Sequence, residues 1–338
     1  MPAAVVEKRR TGRRDFAFVV PIGPGPAPFL ARTLASLRAQ PTSVGVAVCA
    51  VEDSHALRAT VAEFSDIVDY LRVGPDDGQS AAINEGWTAL DADAYGWLND
   101  DDTLHPEATR LASEAFAAGA DVVHGATAIL EDGELRRAHG DRPVGPHILD
   151  DNTVAQPSAF IARSALAAID LEQPGEIKRS LKTELHFSMD WDLWRRLHLS
   201  GARFHALPDT LSITRWYEGT KTSANTLAKF SEYYRVLRRK RIDPRGLWIT
   251  GNSAVYNLAR FGSARALFRP LDRALAALHR SASGDAPPEP GDVLPPLQVF
   301  HYDAGEASVE PGDGSASFAL PHGAVRDVAC GAAVVSFD

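Results

Sequence analysis

Short apolar runs alternate with amphipathic stretches along the first 120 residues of this 338-residue chain. The apolar runs are continuous and contain few polar residues, which is typical of strands buried on both faces of a parallel sheet. Four such runs predict strands, at residues 16–21, 44–51, 68–73 and 95–98. Amphipathic stretches predict helices at residues 29–40, from the end of the second strand to about 64, at 84–90 and at 106–118. The pattern predicts an α/β fold with a mainly parallel sheet flanked by helices.

The pattern changes after Val122. Segments 126–130 and 134–138 flank an Asp132-Gly133 pair, which is a hairpin signal. Ser164 is a predicted helix N-cap, and Gly201 is predicted to end a helix. The other predicted elements are strands at 157–162, 204–207 and 211–216 and helices at 190–199 and 227–240.

The C-terminal part differs in composition. A helix at residues 263–280 carries four arginines beside an apolar face, and a stretch rich in Pro and Gly at 281–296 is typical of a linker. Three short strands are predicted after it, at 299–302, 315–320 and 332–337. We therefore predict a flexible basic leader at 1–15, a main domain at 16–242 and a C-terminal extension of helices and a small β segment at 243–338.

Composition narrows the classes of function. The 45% hydrophobic and 23% charged residues are ordinary for a globular protein, and the net charge of −9 argues against nucleic-acid binding. Cys49 and Cys330 lie far apart without metal-ligand spacing, so neither a disulfide framework nor a zinc site is indicated. No signal-type or membrane-spanning stretch is evident. We expect a cytoplasmic protein, and the helix at 263–280 leaves attachment to a membrane surface open.

The run at residues 95–102 is the most informative. A β-prone segment ends there in Asn99, Asp100, Asp101 and Asp102. Hard cations such as Mg²⁺ and Mn²⁺ prefer carboxylate oxygens, and a site with few protein ligands leaves room for substrate phosphates. From the residues alone an alternative is equally good, in which Asp102 or Thr103 caps the next helix.

A second polar segment, residues 76–86, contains Gly78, which suits a positive φ, and Ser80, which suits a helix start. The earlier loop at 23–28 does not fit the dinucleotide-binding pattern GxGxxG. Its three prolines, at positions 24, 26 and 28, remove amide donors that a pyrophosphate needs. A Rossmann dehydrogenase is therefore excluded.

Together, segments 76–86 and 98–102 resemble the family 2 glycosyltransferases of the GT-A fold, in which a DxGxSxAxNxG segment precedes an LDxDD or LNxDD segment. The resemblance covers residues 16–222. Residues 188–197 are similar to the acceptor-side (E)DxDLWxR helix of that family, and residues 215–222 to its RxHxxSKT-like loop. It implies a GT-A-type, Rossmann-like mixed sheet and an inverting enzyme.

The resemblance also implies the roles of individual residues. Asp190 takes the position of the catalytic base, and Asp101 and Asp102 would bind Mg²⁺ or Mn²⁺. Trp191, Trp216 and Gln156 are candidates for acceptor contacts. The residues assigned to the nucleotide and its diphosphate are Pro21, Glu52, Asp53, Asp77, Gln79, Asn84, Asn99, Asp100, Thr220 and Lys221.

One departure from the family pattern concerns the metal. Tyr217 stands where a histidine ligand is often found, and a neutral phenol binds Mg²⁺ or Mn²⁺ poorly. This departure supports the alternative of a non-catalytic scaffold that binds sugar nucleotides or glycans. A metal-dependent nucleotidyltransferase is a further alternative, although the first loop, at 23–28, lacks the basic, glycine-rich cradle that triphosphate chemistry needs. The expected donor is a UDP-sugar first, then a dTDP- or GDP-sugar. The acceptor hydroxyl belongs to a glycan, a lipid-linked saccharide or a natural product, and a homodimer is an open alternative.

Overall fold

A computed structural model describes residues 5–8, 12–131, 134–137, 140–216, 227–238, 242–261, 299–303, 306–310 and 316–319. The helices are α1 Leu30–Arg38, α2 His55–Glu63, α3 Gln79–Ala89, α4 Ala108–Ala117, α5 Arg163–Ala168, α6 Met189–Leu199, α7 Leu227–Leu237 and α8 Pro244–Phe261. The strands are β1 Val5–Lys8, β2 Arg14–Ile22, β3 Val44–Ala50, β4 Val68–Val73, β5 Ala92–Trp97, β6 Thr103–Leu104, β7 Val122–Glu131, β8 Glu134–Arg137, β9 Ala159–Ala162, β10 Phe204–Trp216, β11 Val299–Asp303, β12 Glu306–Glu310 and β13 Ala316–Ala319.

Ten strands form one mixed sheet in the order β1-β4-β3-β2-β5-β9-β7-β10-β6, and β8 pairs with β7. The strands β4, β3, β2 and β5 are parallel to one another. Strand β9 runs antiparallel to both of its neighbours, and β10 runs parallel to β7. The predicted fold class, a mixed α/β sheet flanked by helices, is confirmed.

The site is positioned by the middle of this sheet. Strand β2 pairs with β3 on one side and with β5 on the other, so the strand order reverses beside β2. In open α/β sheets, ligands bind in the crevice at the carboxyl ends of the strands beside such a reversal. Ile22, Ala50 and Trp97 end the three strands there.

Apolar residues cover both faces of the sheet. On one face Phe160 meets Phe16 and Phe18 edge-on, with ring centroids 5.9 and 6.0 Å apart. On the other face Trp97 stacks on Trp194 of α6 at 6.0 Å, and both rings are buried, as expected for core residues. The opposite faces are filled by successive strand residues because side chains alternate along a strand.

Several boundaries differ from the predictions. The predicted leader contributes β1, which pairs antiparallel with β4, and Arg14 is held by Asp69 through hydrogen bonds of 3.0 and 2.9 Å. Helix α5 begins at Arg163, so the prediction of Ser164 as its N-cap is wrong. Helix α3 begins at Gln79, five residues earlier than predicted, because Gly78 adopts a φ of 97° and opens the helix directly.

The described C-terminal strands β11, β12 and β13 form a separate antiparallel sheet. The predicted linker, the arginine-bearing helix at 263–280 and the strand at 332–337 lie outside the described residues. Among the helices that are described, none combines the length and apolar character needed to span a bilayer.

Candidate active site

A cleft of about 960 Å³ opens at the carboxyl ends of β2 and β5. One group of lining residues, which we call the strand-end wall, consists of Pro21, Gln79 and residues 97–102. A second group, which we call the helix wall, consists of residues 150–152 and 186–191 and the cleft-lining residues of α7 and α8. The predicted base Asp190 and the predicted metal ligands Asp101 and Asp102 all line this cleft.

Hydrogen bonds hold the polar end of β5 in one arrangement. Gln79 Nε2 donates to Asn99 Oδ1 at 2.8 Å, and Asn99 Nδ2 donates to Asp102 Oδ2 at 3.0 Å. Asp102 is fully buried with the Thr214 side chain close to its carboxylate, and its Oδ1 makes no hydrogen bond of normal geometry among the described residues. Thr103 begins β6, and the N-cap of α4 is Glu107 without a side-chain capping bond. The alternative in which Asp102 or Thr103 caps the helix is therefore wrong.

The protonation of this acidic run is shifted. Burial, with the nearby Asp101 carboxylate, raises the pKa of Asp102 to about 8. The same two causes raise the pKa of Asp100 to about 6. Neutral carboxyls are favoured here because ionised ones lose water and repel one another. A bound cation would reverse that balance.

The donor set suits a hard cation only in part. Asp101 and Asp102 offer carboxylate oxygens, and the buried Oδ1 of Asp102 is an acceptor without a well-placed donor among the described residues. Within the described residues, no group of three or more His, Cys, Asp or Glu side chains converges on one point. A cation here would therefore need a diphosphate and water to complete its coordination.

Asp190 lies in the first turn of α6, one position past Met189, and Ser188 takes the N-cap position. Its Oδ2 accepts a hydrogen bond of 3.0 Å from Asn152 Nδ2, and its Oδ1 accepts one of 2.7 Å from the Trp191 amide. The side chain is half-buried in the cleft. These two bonds fix the orientation of the carboxylate.

A buried carboxylate from α7 organises the segment before Asp190. Glu232 is 4% exposed and accepts hydrogen bonds from the amides of His186 at 2.9 Å, Phe187 at 2.8 Å and Ser188 at 3.3 Å. Amides that precede and open a helix lack partners within it, and the positive end of the helix dipole favours an anion. Glu232 therefore joins α7 to the start of α6. Sequence reasoning missed it, because its partners lie 44 to 46 residues away.

The three predicted acceptor residues also line the cleft. Trp191 donates from Nε1 to the Ile148 carbonyl at 2.7 Å and meets the Tyr233 ring edge-on at 6.0 Å. Gln156 Nε2 donates to the Trp97 carbonyl at 2.7 Å. Trp216 is the last residue of β10.

Two cationic side chains line the cleft without having been assigned a role from the sequence. Lys229 of α7 is 4% exposed, its Nζ lies 6.0 Å from the centre of the Tyr233 ring, and burial lowers the pKa of its amine. The Arg215 guanidinium lies 4.9 Å from the centre of the Phe29 ring and is 7% exposed. A lysine on the buried face of an amphipathic helix was the only sequence signal for Lys229.

Four predicted nucleotide residues are not among those that line the cleft. Glu52 accepts a hydrogen bond from the Gly25 amide at 3.2 Å, and Asp53 pairs with Arg58 at 2.8 Å. Asp77 is exposed. Asn84 is buried and holds a loop, because it donates to the Leu181 carbonyl at 2.9 Å and accepts from the Leu181 amide at 2.9 Å. Both ends of the Asn84 side-chain amide therefore make hydrogen bonds to backbone groups.

The remaining predicted positions follow β10 in sequence. Thr220 and Lys221, together with the departure at Tyr217, lie outside the described residues. Asp192, two positions after Asp190, is buried and pairs with Arg196 and Lys182, each at 2.7 Å.

Comparison with known proteins gives a family-model match over part of the chain and a similar fold. Residues 19–168 match the family model described as Glycosyl transferase family 2. TarS of S. aureus is similar in structure, with a TM-score of 0.52 at 12% identity, and the match covers 92% of this chain and 60% of that one. TarS 1–349 in complex with UDP-GlcNAc matches with a TM-score of 0.49 at 12% identity, over 90% of this chain and 99% of that one. No curated protein sequence matches this chain.

Proposed function

We propose that this chain is a glycosyltransferase that transfers a sugar from a nucleotide-diphospho-sugar to an acceptor hydroxyl with inversion. The match of residues 19–168 to the family model Glycosyl transferase family 2 and the GT-A-like fold support this proposal. The observation that carries this proposal is one shared cleft. It brings the acidic end of β5 and Asp190 of α6 together from segments about 90 residues apart in sequence.

The strand-end wall is the donor side of this proposal. The volume of the whole cleft, about 960 Å³, is at the upper end of the ~300–1,000 Å³ typical of ligand sites. A volume of this size suits a nucleotide with an attached sugar. Pro21, Gln79, Asn99 and Asp100 are the predicted nucleotide residues that line it. A UDP-sugar is the first candidate donor, followed by dTDP- and GDP-sugars.

Asp101 and Asp102 would hold the divalent cation, with Mg²⁺ and Mn²⁺ as candidates. The Oδ1 of Asp102 supports this assignment, since a buried acceptor without a well-placed donor is costly. When bound, the cation supplies Lewis-acid neutralisation of the departing diphosphate. The cationic side chains Lys229 and Arg215 add positive charge to the same cleft.

Asp190 acts as the base. Its carboxylate takes the proton from the acceptor hydroxyl while the hydroxyl oxygen bonds to the anomeric carbon of the sugar. The bond from that carbon to the diphosphate breaks, and its electron pair leaves with the nucleoside diphosphate. Asn152 donates a hydrogen bond to one carboxylate oxygen of Asp190, and the Trp191 amide donates one to the other. The two bonds together fix the orientation of the carboxylate. Fixed geometry of this kind lowers the entropic part of the barrier.

The test is donor turnover across UDP-, dTDP- and GDP-sugars with Mn²⁺, using wild type, Asp190→Asn and a matched control. The control is Asp93→Asn, because Asp93 is exposed near the amino end of β5, away from the cleft. We expect Asp190→Asn to lower turnover by about 10²- to 10⁴-fold and to leave donor affinity within about twofold, because a general base acts on the acceptor and not on donor binding. Wild-type inactivity across the panel, or unchanged turnover in Asp190→Asn, would contradict the proposal.

A further inference from the structure

Helix α8 is apolar on two opposite sides. Its inner side is buried, and Ile249 and Ser253 line the cleft. The helical period of 3.6 residues places a second set of residues on the opposite side, which we call the outer face of α8. This face consists of Pro244, Leu247, Trp248, Gly251 and Val255, all of them exposed.

The exposure of the outer face is unusual for such residues. Leu247 is 52% exposed, Trp248 61% and Val255 51%, and Ile242 just before the helix is 68% exposed. None of the five residues of the outer face carries a polar side chain. Contiguous exposed apolar surface of this kind marks a place where a protein meets another apolar surface.

The charge around the outer face indicates which surface that is. In sequence, residues 235–261 contain seven Arg or Lys residues and one Asp, in a chain whose net charge is −9. The structure describes the side chains of three of the basic ones, Arg235, Arg238 and Arg245. Arg235 and Arg238 are exposed at the end of α7, and the side chain of Arg245 is 61% exposed although it pairs with Asp150. An apolar helix face bordered by basic residues is suited to the headgroup region of an anionic bilayer.

We propose that the outer face of α8 docks on an anionic lipid surface. Trp248 suits that role because an indole ring combines an apolar body with a polar tip at the lipid boundary. A second copy of this chain is a poorer occupant, because symmetric pairing would bring two basic segments together. A nucleic acid would use the arginines but would leave the apolar face uncovered.

Docking has a consequence for the acceptor that rests on the proposed function. An α-helix with its side chains is about 10–12 Å across, and the inner side of α8 lines the cleft. The helix wall, which carries Asp190, would therefore open within about one helix diameter of the bilayer. An acceptor attached to a membrane lipid would reach Asp190 without leaving the membrane.

The experiment uses the full chain and vesicles of phosphatidylglycerol or of phosphatidylcholine in a sedimentation assay. We expect binding to phosphatidylglycerol vesicles, at least tenfold weaker binding to phosphatidylcholine, and at least a tenfold loss in the double variant Leu247→Glu, Trp248→Glu. The matched control is Leu199→Glu, because Leu199 is 69% exposed at the end of α6 and lies outside the basic segment. We expect that variant to bind as wild type does.

A second readout reports the position of Trp248 directly. Brominated phosphatidylglycerol quenches tryptophans at the lipid boundary. Of the other five tryptophans, Trp87, Trp97, Trp191 and Trp194 are buried, and Trp216 is half-buried and lines the cleft. We expect quenching in wild type and its loss in Trp248→Phe. Absence of vesicle binding, equal binding by the double variant, no quenching of Trp248, or a dimer that the double variant dissociates would overturn the proposal.

Failure of this inference can be separated from failure of the proposed function. Donor turnover without vesicles does not require docking, so the double variant should retain wild-type turnover in solution. Turnover without vesicle binding removes the docking proposal alone. Vesicle binding without turnover across the donor panel removes the glycosyltransfer assignments and leaves the docking surface in place.

Discussion

The two walls of the cleft are built in different ways. At the strand-end wall, Asn99 bonds Asp102 three residues on and Gln79 20 residues back, and Pro21 of β2 is the more distant member in sequence. The helix wall is assembled from distant segments, because Asp190 depends on Asn152, 38 residues earlier, and its helix start depends on Glu232 of α7. The proposed donor side is therefore encoded largely by the short motif at residues 99–102, whereas the proposed acceptor side depends on how the helices dock.

Removing the charge of Glu232, which joins α7 to the start of α6, should change turnover more than the other substitutions that distinguish the two walls. Glu232→Gln replaces a buried carboxylate, which accepts from three successive amides, with a neutral amide. We expect turnover to fall about 10²-fold, because small displacements of a catalytic group are costly. Donor affinity should stay within about twofold, since the strand-end wall is not touched. The unfolding free energy should fall by about 2 kcal/mol, in line with the loss of hydrogen bonds to a charged group.

The control for this variant is Glu184→Gln, an exposed residue two positions before His186. Steady-state kinetics should separate the effect on kcat from that on the KM for the donor, and chemical denaturation should give the stability change. A purely structural role for Glu232 would lower stability and leave the kcat of the folded fraction unchanged. Equal losses of kcat and of donor affinity would show that the two walls are not independent.

The same contrast explains what could be predicted from the sequence. The parallel core and the acidic run at β5 were predictable because continuous apolar strands and a contiguous motif are local signals. Asn84 fits the family motif, yet its amide is satisfied by residues 180–181, a partnership that no local pattern records. Asn152, Lys229 and Glu232 were missed for the same reason. Their positions follow from helix docking, which is decided by contacts far apart in sequence.

A change on the strand-end wall should act on metal binding and spare the helix wall. Asp102→Asn resembles the protonated form that burial favours, since the pKa of Asp102 is raised to about 8. The fold should therefore tolerate it. We expect affinity for Mn²⁺ in the presence of a UDP-sugar to fall at least about 10-fold, because loss of a residue that only orients a metal ligand already costs about 10- to 100-fold.

Calorimetric titration of Mn²⁺ into the protein with donor present measures this effect, and Asp93→Asn again serves as the control. Vesicle binding, a property of the outer face of α8, should not change. Unaltered Mn²⁺ affinity in Asp102→Asn would remove Asp102 as a ligand.

The smallest predicted effect concerns His105 and the pH dependence of the free energy of unfolding. His105 follows β6, is 4% exposed and accepts a hydrogen bond of 3.0 Å at Nδ1 from the Glu107 amide. Burial, with a smaller contribution from Arg110, lowers its pKa to about 3. The unfolded chain takes up a proton near pH 6.5 and the folded one does not, so stability is present above that pH and is lost as pH falls.

The window for this loss runs from about pH 6.5 down to about pH 3. Between pH 6 and pH 5, His105 should cost the fold about 1 kcal/mol, because one proton taken up only by the unfolded state is worth up to ~1.4 kcal/mol per pH unit. Urea denaturation across this range should show the slope in wild type and a smaller slope in His105→Gln. His205→Gln is the control, because His205 is exposed and should keep the wild-type slope. An equal pH slope of the unfolding free energy in wild type and His105→Gln would mean that a group other than His105 carries the acid sensitivity.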